Sequence, residues 1–568
     1  MFRRARGNEP HLLKEPGVRQ GRQALLWTAA WLLSLPTFIV PLCNPDLFWH
    51  LSAGRWILAH RSWPRADFLS FAAAGRPWAD FEWLAQLVFQ ALYACGGMTS
   101  LWLFKAAFLA ASWLVIDRAL ARRGCGPAPR ALGLVLWSAG MLSHSDIRPE
   151  LFSILFFSAL IYLGEGGLLE TPSPRVLGCV FGIFALWSNL HGAFPAGWFL
   201  LLCYAVEAGL RRKRGFSPAP FHALILSVPA TLLNPYGTGP WRVILMHSLQ
   251  RADLSRTIKE WQGLGFDNPV YWPSWVIIGL AAVAIPAALA AAARRRIARE
   301  PSWPLAAAAL CFGLAALRYE RSSVYFAVSA AALLPLLARA LKREGCAWAR
   351  RAAVAAVSAY AAFIVWLVPR IFWAGVFNYK YVARAATGFM ARQRPILEPL
   401  RLYNQWEWGG YLGWKLEPWY RVFCDGRYIF HGQLAETGRA VTSPEKWSGF
   451  MAANGLDGAL MLNLDTMLPA RKLYPDGRLR DFPRPWYFFY MPRTRWALVY
   501  WDDQALLFVD RQAVPRAWLA EHEYRYARPR DEAAFREALR LKEIPAAAAA
   551  AEQKRHRREL EEFGAGTP

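Results

Sequence analysis

The sequence predicts a polytopic α-helical membrane protein with about eleven transmembrane helices, followed by a C-terminal extracytoplasmic α/β domain. Three observations carry this expectation. Apolar residues make up 55% of the 568 residues and fall in runs near bilayer-spanning length. Arginine clusters alternate with motif-bearing connections between those runs. After Pro369 the apolar runs stop, and the chain turns to mixed charge, tryptophan, tyrosine and turn signals.

The basic tail, residues 1–23, precedes an apolar run with no small-residue cleavage site, so it reads as the cytoplasmic flank of an uncleaved first helix. The runs fall at about 24–42, 98–117, 131–143, 150–164, 176–188, 194–210, 219–233, 272–293, 303–317, 322–340 and 352–369. Residues 82–95 read as a re-entrant or interfacial helix, or as the start of a longer second span. With the N-terminus in the cytoplasm, alternation gives the cytoplasmic side Arg118, Arg122, Arg123 and Arg130, then Arg211, Arg212, Lys213 and Arg214. It also gives that side Arg294, Arg295, Arg296 and Arg299, then Arg339, Lys342, Arg343, Arg350 and Arg351. The formal charge of +25 therefore reads as membrane topology, and no nucleic-acid partner is expected. The eight scattered cysteines contain no CxxC pair, which indicates neither a zinc site nor a disulfide framework.

The same alternation places the unusual polar motifs on the outer face. They are NPDLFWH (44–50), SHSDIRPE (143–150), SNLHG (188–192), NPYG (234–237), WQGLGFDN (261–268) and RYERS (318–322). A one-sided set of Asp, His, Asn and Arg at helix ends reads as one site at the outer membrane surface. The alternative is that these are ordinary helix-end residues with snorkelling arginines.

The stretch 44–83 organises that site. A helix from Asp46 to His60 is expected to lie at the interface, with Trp49, Trp56 and Trp63 at headgroup level. Asp46 is the candidate catalytic base, or else that helix's N-cap. Asp67 and Glu82 share the loop but lie farther along, and are expected to be bystanders while Asp46 is the base; failing Asp46, the base would be Asp67, Asp146 or Glu82. Arg148, Arg318 and Arg321 are the candidate phosphate partners, because guanidinium matches phosphate oxygens bidentately. His50 and His191 could hydrogen-bond substrate or ligate a divalent metal. Lys105, some seven residues into an apolar run, faces a lipid carrier's phosphate or snorkels.

Residues 376–545 read as a small α/β domain. RWALVYWDDQALLFVDR (495–511) reads as a hairpin around an Asp-Asp-Gln turn, GLDGALML (455–462) as a buried strand, and 531–542 as a helix. The tail, 546–568, reads as a polar helix or as disordered.

From the first span to about residue 510 the chain resembles the GT-C superfamily of polytopic glycosyltransferases. The resemblance rests on PDLFWHLSAGRWIL, FEWL, NQWEWGGYL and VFCDGR, and is nearest to uncharacterised bacterial members. It implies a site on the extracytoplasmic face of the inner membrane, an acidic residue in the first outer loop at Asp46, and a polyprenyl-phosphate-linked sugar donor. The acceptor would be a cell-envelope glycan, lipid or protein. Protein mannosyltransferases pair two adjacent acidic residues, whereas Pro45 and Leu47 flank Asp46, so the acceptor type stays open. WEWGGY (406–411) with the later DGR (425–427) is similar to the W-W-D-Y-G motif and following D-G of oligosaccharyltransferase catalytic subunits. That likeness implies acceptor contacts from Trp406, Glu407, Trp408 and Gly409, with Gln405 in place of the first tryptophan. The other reading of the segment is a Gly-Gly turn packed under aromatics.

Two rivals stand beside a transferase. A flippase for lipid-linked saccharides should show internal repeats and polar residues at the midplane, and the sequence shows neither. A non-catalytic scaffold of polysaccharide assembly would use the outer domain as an interaction surface.

Overall fold

The computed structural model describes residues 16–170, 173–210, 218–250, 255–294, 302–343, 346–371, 375–474 and 476–564. The basic residues Arg211, Arg212, Lys213, Arg214, Arg295, Arg296 and Arg299, and the first fifteen residues of the tail, lie outside them.

Helices dominate up to Ile371. The first five are α1 (Pro16–Ile39), α2 (Leu47–His60), α3 (Trp83–Arg122), α4 (Pro127–Met141) and α5 (Glu150–Glu165). Each expected apolar run lies within or overlaps a helix. By length and composition, four described segments can cross a membrane: Trp83–Arg122, Pro269–Ala293, Glu320–Lys342 and Ala347–Ile371. Shorter apolar helices include Pro174–Leu190, Phe194–Leu210, Ala219–Ala230 and Trp303–Ala316.

Residues 83–95 form the first of two helices that run on from one another within α3 and meet at a break. A straight helix as long as α3 would measure about 60 Å, twice a bilayer core. It is broken at Gly96 and Gly97, and Gly97 adopts φ 61°, a left-handed conformation that glycine reaches without steric cost. The break separates the first part of α3, which packs on α2, from the apolar part that follows. The Ser323–Arg343 helix is the centre of the bundle, with Val324, Ala327, Val328, Ala331 and Leu333 fully enclosed. Small residues let α4 approach it closely: Gly140 meets Ala327, and Gly133 meets the carbonyl of Ala331.

The C-terminal region carries a four-stranded sheet in the order β1, β2, β6, β5. The strands are β1 (Leu402–Asn404), β2 (Gly458–Leu462), β5 (Trp496–Trp501) and β6 (Ala505–Asp510), with an exposed hairpin of β3 (Met467–Leu473) and β4 (Leu479–Pro485). β1 and β2 are parallel, and the other pairs are antiparallel. Alternate residues of β5 and β6 feed two cores. Leu498, Leu506 and Phe508 face Trp447 and Tyr487, while Ala497, Val499, Leu507 and Val509 face Phe389 and Leu412. A sheet covered on both faces explains why these strands read as continuous apolar runs. The hairpin turn falls at Asp502–Gln504, where the Asp502 carboxylate accepts from the backbone N–H groups of Gln504 and Ala505. The tail forms a helix over Ala546–Glu559, with His556 stacked 3.6 Å from Trp501.

Two seams join the C-terminal region to the first loop. The N–H of Leu42 donates to Val376 O and that of Asn378 to Leu42 O. Farther along, Phe71 donates to Val422 O and Val422 to Leu69 O, at 3.0 and 3.2 Å.

Candidate active site

Asp46 stands at the N-cap position of α2, yet its side chain makes no capping bond. Its Oδ1 accepts instead from Trp49 Nε1 at 3.2 Å, one turn on, while its own backbone N–H donates to Asn44 Oδ1. Leu47 to Gly54 and Ile57 are all buried, because α2 lies between α3 and the C-terminal region. This corrects the interfacial placement of Trp49. It is buried against Trp78 rather than set at headgroup level, since the first two turns of the helix are covered by the protein, while Leu58 to His60 at its far end are exposed. Trp56 stacks on His60 and Phe68, and only Trp63 keeps a large exposed surface, 43%.

The covering element is the DGR segment, 425–427. Asn404 of β1 pins the chain just before it, accepting from Phe423 N and donating to Cys424 O, both at 2.8 Å. Arg427 Nη2 then bridges Asp67 Oδ1 at 2.6 Å and Asp425 Oδ2 at 2.7 Å, with all three side chains enclosed. Its guanidinium also lies 4.6 Å from the Trp78 ring. Asp67 is thus no bystander of the first loop. Between these charges, Gly426 rests directly on Asp46: a Cβ added there would stand 1.8 Å from Asp46 Oδ1.

Three turns bring the charges. Arg148, between α4 and α5, is ion-paired to Glu260 of the Lys259–Trp261 turn. Arg321, of the Glu320–Ser322 turn, reaches the other Glu260 oxygen at 3.5 Å and lies over the Trp261 ring at 5.5 Å. Glu150 accepts from His144, whose other nitrogen meets Ser323 Oγ at 2.7 Å. His191 Nδ1 meets Ser153 Oγ at 2.7 Å, and its Nε2 points at Glu82 from 3.9 Å. Two guanidinium groups therefore converge on one anion position, now filled by a carboxylate.

Burial pushes the Asp46 carboxyl up to about 6; Arg148 opposes the rise, and the charges of Glu260 and Asp425 add to it. Glu82 is pushed to about 8, by burial and then by Asp80. Burial would also raise Glu260, but Arg148 and Arg321 hold it below the usual carboxylate value. His191 falls to about 4, chiefly through burial, and is neutral at pH 7. Asp46 is thus a carboxylate near its own pKa at neutral pH, beside fixed cations, which suits proton abstraction. Among the described residues, no three His, Cys, Asp or Glu side chains gather as metal ligands. Glu260 and Glu150 are engaged by Arg148 and His144 respectively.

Compared with solved structures, the chain superposes on the archaeal oligosaccharyltransferase AglB from Archaeoglobus fulgidus, in complex with an inhibitory peptide and a dolichol-phosphate. The TM-score is 0.53 at 11% identity, over 89% of this chain and 81% of that one. The chain shares the AglB fold. ArnT from Cupriavidus metallidurans aligns more loosely, with TM-scores of 0.44 in the apo state and 0.42 bound to undecaprenyl phosphate. Identity is 15% in both, over 88% and 87% of this chain and 99% of each of those. No family model and no curated protein matches the chain.

On this AglB-like scaffold, Asp46, Arg148, Arg321 and His191 come together in one electrostatically linked cluster. His50 joins its edge, its ring 3.6 Å from that of Trp49 and tilted by 33°, with Nδ1 buried and without a hydrogen-bond partner. Arg318 is exposed and takes no part in the ion pairs with Glu260. Lys105 is fully enclosed and donates to Val40 O near the end of α1, so it neither snorkels nor joins that cluster. In the WEWGGY segment the expected turn is a helix, Trp406–Leu416. Trp408 is in the domain core, Gly409 packs on the Cys424 carbonyl, and Glu407 is exposed. Trp406 is half-buried against the neighbouring core, its ring stacked 5.9 Å from that of His431. Sequence reasoning missed Glu260 and the role of Gly426 and Arg427, and held Glu82 only as a fallback to Asp46. Glu260 directly precedes the singled-out WQGLGFDN, but its partners Arg148 and Arg321 are far away in sequence.

Proposed function

We propose that the chain is a membrane glycosyltransferase, moving a sugar from a polyprenyl-phosphate-linked donor to a cell-envelope glycan, lipid or protein at the extracytoplasmic face. The observation that carries this reading is the joint cluster of Asp46 with Arg148, Arg321 and Glu260, at the end of an AglB-like bundle. The dolichol-phosphate held by AglB supports a lipid-phosphate donor here.

In this reading Asp46 accepts the proton of the acceptor hydroxyl as that oxygen attacks the anomeric carbon. The bond from that carbon to the phosphate oxygen breaks, and the electron pair leaves with the polyprenyl phosphate. Attack opposite the leaving group inverts the anomeric centre. Arg148 and Arg321 take up the negative charge of the departing phosphate, which exchanges with the Glu260 carboxylate. The cations are already in place, and Glu260 gives up its pairing with them as the phosphate enters.

Mass spectrometry of envelope glycans and lipids, from cells with and without the gene, tests the reading. A sugar residue missing from the deletion strain is expected. A lipid-linked saccharide accumulating on the cytoplasmic side would instead identify a flippase.

A further inference from the structure

The carboxylate in the first loop is seated by a different part of the chain. Gly426 meets Asp46 so closely that an added Cβ would lie 1.8 Å from Oδ1, 2.9 Å from Cγ and 3.2 Å from Trp49 Nε1. The Gly426 backbone therefore bears on the carboxylate and on the indole that donates to it. This contact is held from both sides. Arg427 fastens the segment to Asp67 of the first loop, at 2.6 Å. Asp67 is itself fixed by Leu69 N and Ser70 N at 3.2 Å and by Ser70 Oγ at 2.5 Å. The Leu69–Val422 and Phe71–Val422 backbone bonds close the seam three residues earlier. A buried arginine between two aspartates is a costly way to stabilise a loop, because desolvation cancels much of the attraction. What such an arrangement fixes is register, and the register here is that of Gly426 over Asp46.

We propose that Gly426 and Arg427 are positioning residues for the Asp46 carboxylate, so that the C-terminal domain is a working part of the active site. The proposal rests on the reading of Asp46 as the base. A displacement of about 1 Å at a reacting group costs about a hundredfold in rate. A side chain at 426 forces at least that, since its contact is a carboxylate with a shape-fixed donor rather than the end of a flexible chain.

The test uses full-length protein in membranes, supplied with total polyprenyl-linked lipid extracted from the host, with transfer read by mass spectrometry. Gly426→Ala should lower the maximal rate about a hundredfold and leave the half-saturating lipid concentration within about twofold. Gly432→Ala, in the same domain with nothing within 4 Å of its added Cβ, should match the wild type. Asp425→Asn carries a readout that loop stability alone would not move. Removing its charge relieves the repulsion on Asp46, so the acid limb of the rate profile should shift to lower pH. It also carries the test should Gly426→Ala fail to accumulate. A Gly426→Ala rate within twofold of Gly432→Ala, or an unmoved acid limb in Asp425→Asn, overturns the proposal. Asp46→Asn run alongside separates the two ideas: an inactive Asp46→Asn beside an active Gly426→Ala removes the positioning role only, whereas an active Asp46→Asn removes the base and the positioning role with it.

Discussion

Replacing Arg148 or Arg321 by lysine keeps the charge and loses the planar fork that lets two guanidinium groups share one anion. A charge-assisted hydrogen bond contributes about 1.5–3 kcal/mol, so each Lys variant should lose roughly tenfold to a hundredfold in transfer at equal protein level. Full activity in both would end their assignment to phosphate. Acidity gives a second residue-scale expectation. Asp46 works as base only when ionised, and its folded pKa is raised from 3.8 to about 6. The carboxylate is therefore lost as pH falls through about 6, and the rate should drop about tenfold per unit below that and level off above it. A flat profile down to about pH 4.5 would contradict the raised value. Asp46 itself was legible, because an acid follows Pro45 at the end of an apolar run. Glu260 was not. Its ionisation depends on Arg148 and Arg321, brought to it only by folding, and no local pattern in RTIKEWQ announces that pairing.

At the scale of elements, α3 shows which features the sequence carries and which it leaves open. Its apolar length was plain, but two spans or one kinked helix fit the same composition. The Gly96–Gly97 pair decides, through one left-handed residue. Gly97→Ala should destabilise by about 1–3 kcal/mol, the cost of a side chain in that glycine-only region of positive φ, and lower the midpoint of thermal unfolding in detergent. An unchanged midpoint would mean that α3 tolerates a straighter path. β5 and β6 were legible because both faces are apolar. β3 and β4 went unread: Pro469 and Pro483, which face one another, and the alternating charges mask the strand pattern, and an exposed two-stranded hairpin, being all edge, admits them. The helix at Trp406–Leu416 was hidden by Gly409 and Gly410, which read as a turn; their missing side chains instead admit Cys424 and Trp49.

At the scale of the molecule, the alternation of arginine clusters with motif-bearing connections predicts a one-sided machine, and that sidedness can be checked directly. Reporter fusions after Gly215 and after Gly432 should give cytoplasmic and external signals respectively, as the arginine distribution requires. Equal signals would remove the topology and the outer-face site together. The central claim is that Asp46 is the base for sugar transfer, and one measurement reaches it. The deletion strain is complemented with Asp46→Asn at wild-type protein level, and its envelope glycans are quantified by mass spectrometry. Asparagine preserves size and the acceptor for Trp49 Nε1, so folding should survive, while a general base is worth about a hundredfold to ten-thousandfold in rate. The account predicts that the sugar residue missing from the deletion strain stays missing; its return to the wild-type amount would contradict it.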